Sequence, residues 1–532
     1  MSRAKIALLT SLVVLSAALA LSSLTAAAGE GKIIVPGRTV STQEDFFVAL
    51  GGEKTSRINS DGSIFLFETI YLETPIVLSE GDFRLDGNAD IVPGDFPAFV
   101  LENGATLSVG KTEQPEKQDE RDVSIAFDGE GKTFSTPLIR VGEGCTLSTH
   151  YLFRIKNRVS TCDGCAIENA GTFVMYEGEI SSCRSLGAGG AVYNTGTAVL
   201  RGGTITGCSA ENGGAVSGSG ELNLAGTQIQ NCMATLGGAI FGTGKTVLTA
   251  SSVIECGAVN GGAFCGTGEF VFSGGVVEKC SADERGGGLF IAKGGSADIS
   301  SALFDGCTAA ISGGSVHNEG ELKLSGGMLS EGEADRGGNV FNVSGARTVV
   351  TGGQCVRGKA ALGGGIFNEG YLSLTVSGVS SNRADHGTAV FNFGEFHISG
   401  FPYLDKKHDF FLVMNDGDPH PLFVDSEMKA DVIARLTPGT FDGQSAVPVF
   451  DEGVKVLEGD FVSQASGHYT LTQPEDGRQL VISEGVVTRV RSVFEGPVIY
   501  VAAAAVYVAL IAGIVAAARL ADKKKNRDKK PS

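Results

Sequence analysis

Apolar residues recur at an interval of about 24 residues through the middle of the chain. Each repeat begins with Gly-Gly, or Gly-Thr in the last copy, followed by a small residue and then an apolar one. Within a repeat, apolar and polar residues alternate, as in Glu221-Leu222-Asn223-Leu224, which is typical of a β-strand. The nine repeats begin at Gly189, Gly213, Gly237, Gly261, Gly286, Gly313, Gly337, Gly363 and Gly387.

Stacking the repeats in register produces columns of similar side chains. One apolar column contains Val192, Val216, Ile240, Phe264, Leu289, Val316, Val340, Ile366 and Val390. A fixed period with one residue type in each column predicts an all-β parallel β-helix, a solenoid with one coil of three short strands per repeat. In a column of corner glycines we expect a positive φ that a side chain would resist: Gly196, Gly220, Gly244, Gly268, Gly320, Gly370 and Gly394.

Both ends of the chain have the pattern of membrane-targeting segments. Residues 1–28 are a predicted signal peptide, with Arg3 and Lys5 before an apolar stretch; an uncleaved anchor is the alternative. Residues 498–518 carry no charge and are long enough to span a bilayer, which predicts a single transmembrane helix. The basic residues 519–532 then form a cytoplasmic tail. The sequence therefore predicts a single-pass type I protein of the plasma membrane, with its N-terminal region at the cell surface.

Three parts are predicted between these segments. Residues 29–165 form an N-terminal cap and irregular coils, with a helical turn near Gln43–Leu50. Residues 166–400 form the regular β-helix, and residues 401–497 form a C-terminal β region and a juxtamembrane stalk. All 14 prolines lie outside residues 138–401. Because proline cannot donate a hydrogen bond between strands, this gap independently outlines the regular coils.

The formal net charge of −18 argues against nucleic acid or anionic lipid as a ligand. A membrane anchor, and glycans or cell-surface proteins as partners, are compatible with this charge.

Cysteines form a further column at the coil period. Inert packing is the favoured interpretation, because a free cysteine behaves as a small buried hydrophobe. Disulfides between coils and a metal ladder are the alternatives, since neighbouring coils lie about 4.8 Å apart. Outside this column, Cys162 and Cys165 are a candidate local disulfide. The column contains Cys183, Cys208, Cys232, Cys256, Cys280 and Cys307.

One coil has asparagine in the cysteine column, in the sequence Val379-Ser380-Ser381-Asn382. With phrases such as Gly363-Gly364-Gly365-Ile366, this resembles the polymorphic outer-membrane protein repeats of chlamydiae, over about residues 165–400. The resemblance implies a right-handed β-helix and an adhesin-like passenger at the cell surface. The chain departs from the family in having cysteine where those repeats mostly have asparagine, and a predicted membrane helix in place of a C-terminal barrel.

Polar residues at the coil corners provide candidates for chemistry. An acidic column before the Gly-Gly phrase has no acids in adjacent coils, so capping of turns is the expected role: Glu211, Glu284, Asp335 and Asp385. A column of asparagines is expected to be structural, and it includes Asn342, a candidate glycosylation site: Asn194, Asn318, Asn342, Asn368 and Asn392. Four histidines without constant spacing are expected to be isolated residues of the surface or turns: His317, His397, His408 and His420.

No catalytic residue, metal ligand or cofactor-binding residue is assigned. The sequence favours a membrane-anchored, adhesin-like binding protein that is not an enzyme. The alternative is a surface polysaccharide lyase or glycoside hydrolase that uses the turn carboxylates. Recognition is expected where the period fails: before Ile167, in the loop Lys111–Asp122, and after Gly400.

Overall fold

The chain forms an all-β, right-handed solenoid of about 14 turns, with mostly parallel strands. This computed structural model describes residues 32–114, 124–375, 377–400, 403–404, 409–415, 418–428 and 434–490. The predicted signal peptide and the predicted transmembrane helix both lie outside these residues, as does most of the Lys111–Asp122 loop. Within the described part of the chain, no helix is long and apolar enough to cross a membrane.

Sheet I is the wall that begins each regular coil. It follows the Gly-Gly phrase, and its strands have alternating inward and outward side chains, which is why the apolar column faces the core. Its parallel strands are Thr39–Val40, Ile76–Ser79, Phe99–Glu102, Ile139–Val141, Ile167–Asn169, Val192–Asn194, Val216–Gly218, Ile240–Gly242, Phe264–Gly266, Leu289–Ile291, Val316–Asn318, Val340–Asn342, Ile366–Asn368, Val390–Asn392, Asp409–Asn415, Ala434–Phe441 and Tyr469–Leu471.

Sheet II follows sheet I after the corner that contains the glycine column. Its first two strands are antiparallel and all others are parallel. The strands are Ser56–Ile58, Ile64–Leu66, Asp82–Gly87, Thr106–Val109, Thr146–Thr149, Thr172–Met175, Thr197–Leu200, Glu221–Leu224, Lys245–Leu248, Glu269–Phe272, Ser296–Ile299, Glu321–Leu324, Arg347–Val350, Tyr371–Leu374, Glu395–Ile398, Leu422–Val424 and Leu457–Glu458.

Sheet III completes the coil. Its strands are Ile125–Asp128, Phe153–Lys156, Glu179–Ser181, Thr204–Thr206, Gln228–Gln230, Ser252–Ile254, Val276–Glu278, Leu303–Asp305, Met328–Ser330, Gln354–Val356, Gly378–Ser380 and Tyr403–Leu404. A three-stranded sheet of Ile33–Val35, Ile70–Leu72 and Ile91–Val92 precedes it. Short strands, here called sheet IV, bridge sheet III to the next Gly-Gly phrase: Thr133–Phe134, Val159–Ser160, Arg184–Ser185, Met233–Leu236, Gly257–Asn260, Ser281–Arg285 and Thr308–Ala309.

The remaining elements lie at the ends of the solenoid. At the N-terminal end are helix α1, Gln43–Ala49, and the 3₁₀ turn Gly52–Lys54. At the C-terminal end are helix α2, Val462–Ala465, the 3₁₀ turn Ser466–His468, the hairpin of Leu480–Ser483 and Val486–Arg489, and the short strands Asp418–Pro419 and Ala446–Pro448.

The strand register confirms the predicted columns. Val192 pairs with Val216, Val216 with Ile240, and the series continues to Val390. Every member of this column is buried, and the members belong to one hydrophobic core that runs the length of the solenoid. Stacking continues past Gly400, where the repeated phrase has ended. Val390 pairs in parallel with Phe410, and Phe410 pairs in parallel with Leu436.

The expected positive φ at the corner glycines is wrong. None of that column has a positive φ; instead, the first glycine of each Gly-Gly phrase does, for example Gly213 at +64°. The corner glycines are required for a different reason, which is close approach of the backbone. A Cβ on Gly220 would lie 2.1 Å from the carbonyl oxygen of Gly196 in the preceding coil.

Helix α1 covers the N-terminal end of the core. Thr42 caps the helix by accepting a hydrogen bond from the Asp45 amide at 3.1 Å. Phe46 is fully buried and makes edge-to-face contacts with Phe83 and Phe99, at centroid distances of 5.6 and 5.9 Å. The helix thus closes a surface that would otherwise expose apolar side chains and unpaired strands.

Candidate binding face on sheet II

The turn carboxylates lie in separate coils, as their spacing indicates. Backbone hydrogen bonds place Ala361 between Asp335 and Asp385: Ala361 donates to Asp335, and Asp385 donates to Ala361. Ile311 likewise donates to the carbonyl of Glu284. Two cooperating acids in neighbouring coils are therefore not assembled from this column.

The cysteine column is a stack of buried thiols. All eleven cysteines are free, and all six members of the column are at most 1 % exposed. Their Sγ atoms point at backbone carbonyls; Cys280, for example, lies 3.4 Å from Glu278 O and 3.7 Å from Val253 O. Burial raises the pKa of the Cys280 thiol, so it is held protonated. Packing is thus one role that the geometry supports directly.

A local disulfide is predicted between two further cysteines. Cys162 and Cys165 are not joined in the structure, and the Cys165 thiol donates to the carbonyl of Arg158 at 3.1 Å. Pairing of these two residues under oxidising conditions remains a prediction. In the part of the chain that the structure describes, no group of three or more His, Cys, Asp and Glu side chains is arranged to hold a metal ion.

The asparagine column is structural, as predicted. Asn342 is fully buried and donates to Asn368 Oδ1 at 2.7 Å, and Asn368 donates to Asn392 Oδ1 at 2.7 Å. Asn342 also accepts from Thr348 at 2.9 Å. Because its amide is engaged and unexposed, attachment of a glycan to Asn342 would have to precede folding of this coil.

Sequence reasoning missed a second asparagine cluster. Where the cysteine column contains Gly332 and Gly358, the side chain of the buried Asn339 occupies the space. Asn339 accepts from the Gly332 amide at 3.1 Å and donates to Asn382 Oδ1 at 3.3 Å. The sequence contains a signal for this cluster. Glycine replaces cysteine at two positions of the column, and asparagine follows the Gly-Gly phrase that lies between them.

The expectation of isolated histidines is wrong for His317. This residue is buried in a stack of outward-facing rings on sheet I, parallel to Phe290 and Phe341 at centroid distances of 5.0 and 5.1 Å. Its Nδ1 lies 2.9 Å from Ser312 Oγ, and its Nε2 lies 3.5 Å from Glu319 Oε1. Burial lowers the pKa of His317 and outweighs the opposing effect of Glu319.

The ring stack is part of the fold rather than an open surface. It continues through Phe367, Phe391 and Phe411, which are fully buried. Phe441, in the strand Ala434–Phe441, makes an edge contact with Phe391 at 5.2 Å and covers the stack. Residues that lie beyond the regular repeats therefore complete a core on the outside of sheet I.

An aromatic row on the outer face of sheet II remains accessible. The guanidinium of Arg347 lies 3.9 Å from the ring centroid of Tyr371. His397 stacks between Tyr371 and Phe423, at 5.1 and 4.8 Å. Tyr371 and Phe423 are both half-buried, so the row presents ring edges and a cation to solvent. We call Arg347, Tyr371, His397 and Phe423 the sheet II row.

Charged groups adjoin this row. His397 contacts Asp425 through Nδ1 at 2.9 Å and Glu395 through Nε2 at 2.7 Å. Burial opposes protonation of the ring, but the hydrogen bonds to these carboxylates outweigh it and raise the pKa of His397. The expectation that His397 is an isolated residue is therefore also wrong.

A shallow groove continues the row toward the N-terminal end of sheet II. Its volume is about 360 Å³, and Arg347 belongs to both the groove and the row. Lys323 and Asp298 form an ion pair across it at 2.9 Å. The outer face of sheet II thus combines a groove, aromatic edges and charged hydrogen-bonding groups, which is the chemistry used to bind polar ligands such as sugars.

No family model, curated protein or solved structure matches the chain.

Proposed function

We propose that this chain is a non-catalytic, adhesin-like binding protein of the cell surface, anchored as a single-pass type I membrane protein. The sheet II groove and row are its binding face, with glycans as the favoured partners. The proposal depends chiefly on one observation: Tyr371 and Phe423 keep part of their ring surface exposed, next to the groove that contains Arg347. Its position at the cell surface rests on the predicted signal peptide and transmembrane helix, and agrees with the resemblance to chlamydial surface proteins.

The arrangement of acids supports binding over catalysis. Asp335 and Asp385 are separated by an intervening coil whose residue at that position is Ala361. A retaining glycosidase needs two carboxyl groups about 5 Å apart, and an inverting enzyme needs about 6.5–9.5 Å. Two coil spacings of about 4.8 Å place the acids at the outer limit of this range. The lyase or hydrolase alternative therefore gains no support from the turn column.

Binding is tested with the purified full-length protein on panels of glycans and intact cells. We expect saturable glycan binding that is lost in the double variant Arg347→Ala, Tyr371→Ala. The matched control, Arg154→Ala with Tyr193→Ala, removes the same residue types from other faces and should bind as the wild type does. Unchanged binding by the sheet II variant would show that this face is not used. Binding abolished only when target cells are treated with protease would identify a protein partner.

Location and catalysis have separate tests. Protease treatment of intact cells should remove the predicted extracellular residues 29–497. Full protection of the protein would contradict the surface assignment. Incubation with acidic and neutral polysaccharides should release no products. Turnover that disappears in Asp335→Asn or Asp385→Asn would establish the enzymatic alternative instead.

A further inference from the structure

Arg158 occupies an unusual place in the fold. The strand register pairs Val159 with Arg184, so Arg158 lies at the coil position that Cys183 takes one turn later. Both are preceded by a residue with positive φ, Asn157 at +54° and Ser182 at +52°. Arg158 therefore occupies the cysteine column one coil before its first thiol, and this arginine is only 2 % exposed.

The guanidinium of Arg158 has few compensating contacts. Its Cζ lies 3.7 Å from the ring centroid of Phe134, and its Nη2 donates to the carbonyl of Thr136 at 3.0 Å. Its Nε has no hydrogen-bond partner, and neither does the nearby buried hydroxyl of Thr136. A buried cation without an anionic partner is costly, because it loses its hydration without a compensating ion pair.

A cavity of about 250 Å³ lies beside this guanidinium. Arg158, Phe127 and Leu138 form its buried part, and exposed Asp95, Glu130, Lys132 and Thr133 form its rim.

The other charged groups that line the cavity already have partners. Asp95 accepts from the amide and hydroxyl of Ser135, at 2.5 and 3.0 Å. Asp128 pairs with Lys156 at 3.2 Å, and Glu130 pairs with Lys132 at 2.5 Å. Asp95 and Arg158 thus hydrogen-bond only to neutral groups among the described residues, and of these two charged residues Arg158 alone is buried.

We propose that this cavity is a binding site for a small carboxylate, held by the guanidinium of Arg158. The guanidinium of Arg158 feels the charge of Asp95 but forms no ion pair, so it has room to pair with one carboxylate, and the planar fork of arginine suits two carboxylate oxygens. Asp95, Asp128 and Glu130 repel any anion at this site, and they repel a phosphate dianion more strongly than a carboxylate monoanion. The volume accommodates a group of monosaccharide size, so a uronic acid or a smaller free acid has the required chemistry. This site is independent of the sheet II face.

Binding can be followed without altering Arg158, because the chain contains no tryptophan. The rim variant Thr133→Trp introduces a single tryptophan, which is excited at longer wavelength than the tyrosines of the full-length protein. Its emission should change saturably with glucuronate and should not change with glucose. Acetate binding as tightly as glucuronate would identify a free small acid as the ligand, and weaker acetate binding would identify an acidic sugar. Inorganic phosphate should bind at least about tenfold more weakly than glucuronate.

Calorimetry on variants tests the role of the guanidinium. Arg158→Lys keeps a charge but loses the fork, and we expect it to weaken glucuronate binding about tenfold or more. Glu130→Gln removes an opposing negative charge from the rim of the same cavity, so it should bind glucuronate at least as tightly as the wild type does. A folded Arg158→Lys protein with wild-type affinity would overturn the proposal. If Arg158→Lys does not fold, two other measurements decide. The proposal is overturned if carboxylates change neither the tryptophan emission of Thr133→Trp nor the melting temperature of the wild type.

Discussion

Two positions of the regular coil have a positive φ, and they differ in whether they require glycine. Gly213 has φ at +64°, and a Cβ there would lie 2.1 Å from the carbonyl of Val216. Gly207 also has a positive φ, +62°, but its nearest neighbour would be 3.8 Å away. The equivalent residue in the next coil, Asn231, has φ at +54°.

This difference predicts opposite outcomes for two substitutions. Gly213→Ala should lower the free energy of unfolding by about 2 kcal/mol or more, because the strain of positive φ adds to a clash with backbone. Gly207→Asn should change it by less than about 0.5 kcal/mol, since asparagine tolerates this conformation. Urea denaturation followed by circular dichroism measures both. Equal effects would show that the carbonyl contact at Gly213 is unimportant.

Asn368 is expected to be a stability determinant through the groups that it satisfies. Asn368→Ala leaves the amide of Asn342 without the acceptor Asn368 Oδ1, in a fully buried site. Each buried polar group left unpaired costs about 1–3 kcal/mol, so the loss should be in that range or above. Asn223→Ala removes only a partly exposed bond to Glu221 and should be nearly neutral. Urea denaturation of both variants tests the comparison, and a neutral Asn368→Ala would contradict it.

At the scale of elements, the sheet I ring stack makes the stability depend on pH. The pKa of His317 is lowered in the fold by burial, whereas the unfolded value is about 6.5. Its contribution is therefore fully present above about pH 6.5 and is lost as the pH falls through the folded value. His317→Phe fits between Phe290 and Phe341 and removes this titration. The fall in melting temperature from pH 8 to pH 5 should be smaller in that variant than in the wild type.

A matched variant separates titration from packing. Phe290→Leu perturbs the same stack but leaves His317 in place, so it should lower the melting temperature similarly at both pH values. The prediction for His317 fails if His317→Phe and the wild type lose equal stability on acidification.

Helix α1 is predicted to protect the first coils. Phe46→Ala removes a fully buried ring from the end of the core, which typically costs about 3–5 kcal/mol. Because each coil contacts only its neighbours, the effect should stay local. Hydrogen exchange should accelerate over residues 33–109 and remain unchanged over 192–392. The exposed Val48, changed to alanine, is the control. Acceleration along the whole rod would contradict this view.

The elements that sequence could predict are those set by the period itself. The inward columns follow from alternation and repetition, so Val192 and its equivalents were identifiable. The outward His317 and Tyr371 were not, because alternation assigns their positions to solvent, whereas Phe441 covers part of one face and the rings of sheet II stack across coils. Arg158 escaped notice for a related reason: the irregular coils hide its equivalence to the cysteine column.

For the whole molecule, the period implies that a complete coil can be removed. Deletion of Gly213–Leu236, one 24-residue coil, joins Asn212 to Gly237. Backbone bridges connect Asn212 with Leu236, which shows that they are equivalent points of successive coils. Val192 would then stack on Ile240, and Cys208 on Cys256, so core and thiol columns would stay continuous. We expect a folded rod with a melting temperature close to that of the wild type and a length reduced by about 4.8 Å.

Deletion of half a coil is the matched control. Removing Gly213–Leu224 takes away strands of sheets I and II but leaves their sheet III partner Gln228–Gln230, so every later coil would be out of register with the earlier ones. This variant should aggregate or be degraded, because a break in register exposes apolar columns and unpaired strand edges. Circular dichroism, melting temperature and small-angle scattering distinguish the two proteins. Equal tolerance of both deletions would show that the coils do not depend on continuous stacking, and an unfolded whole-coil deletion would show that the repeats are not interchangeable.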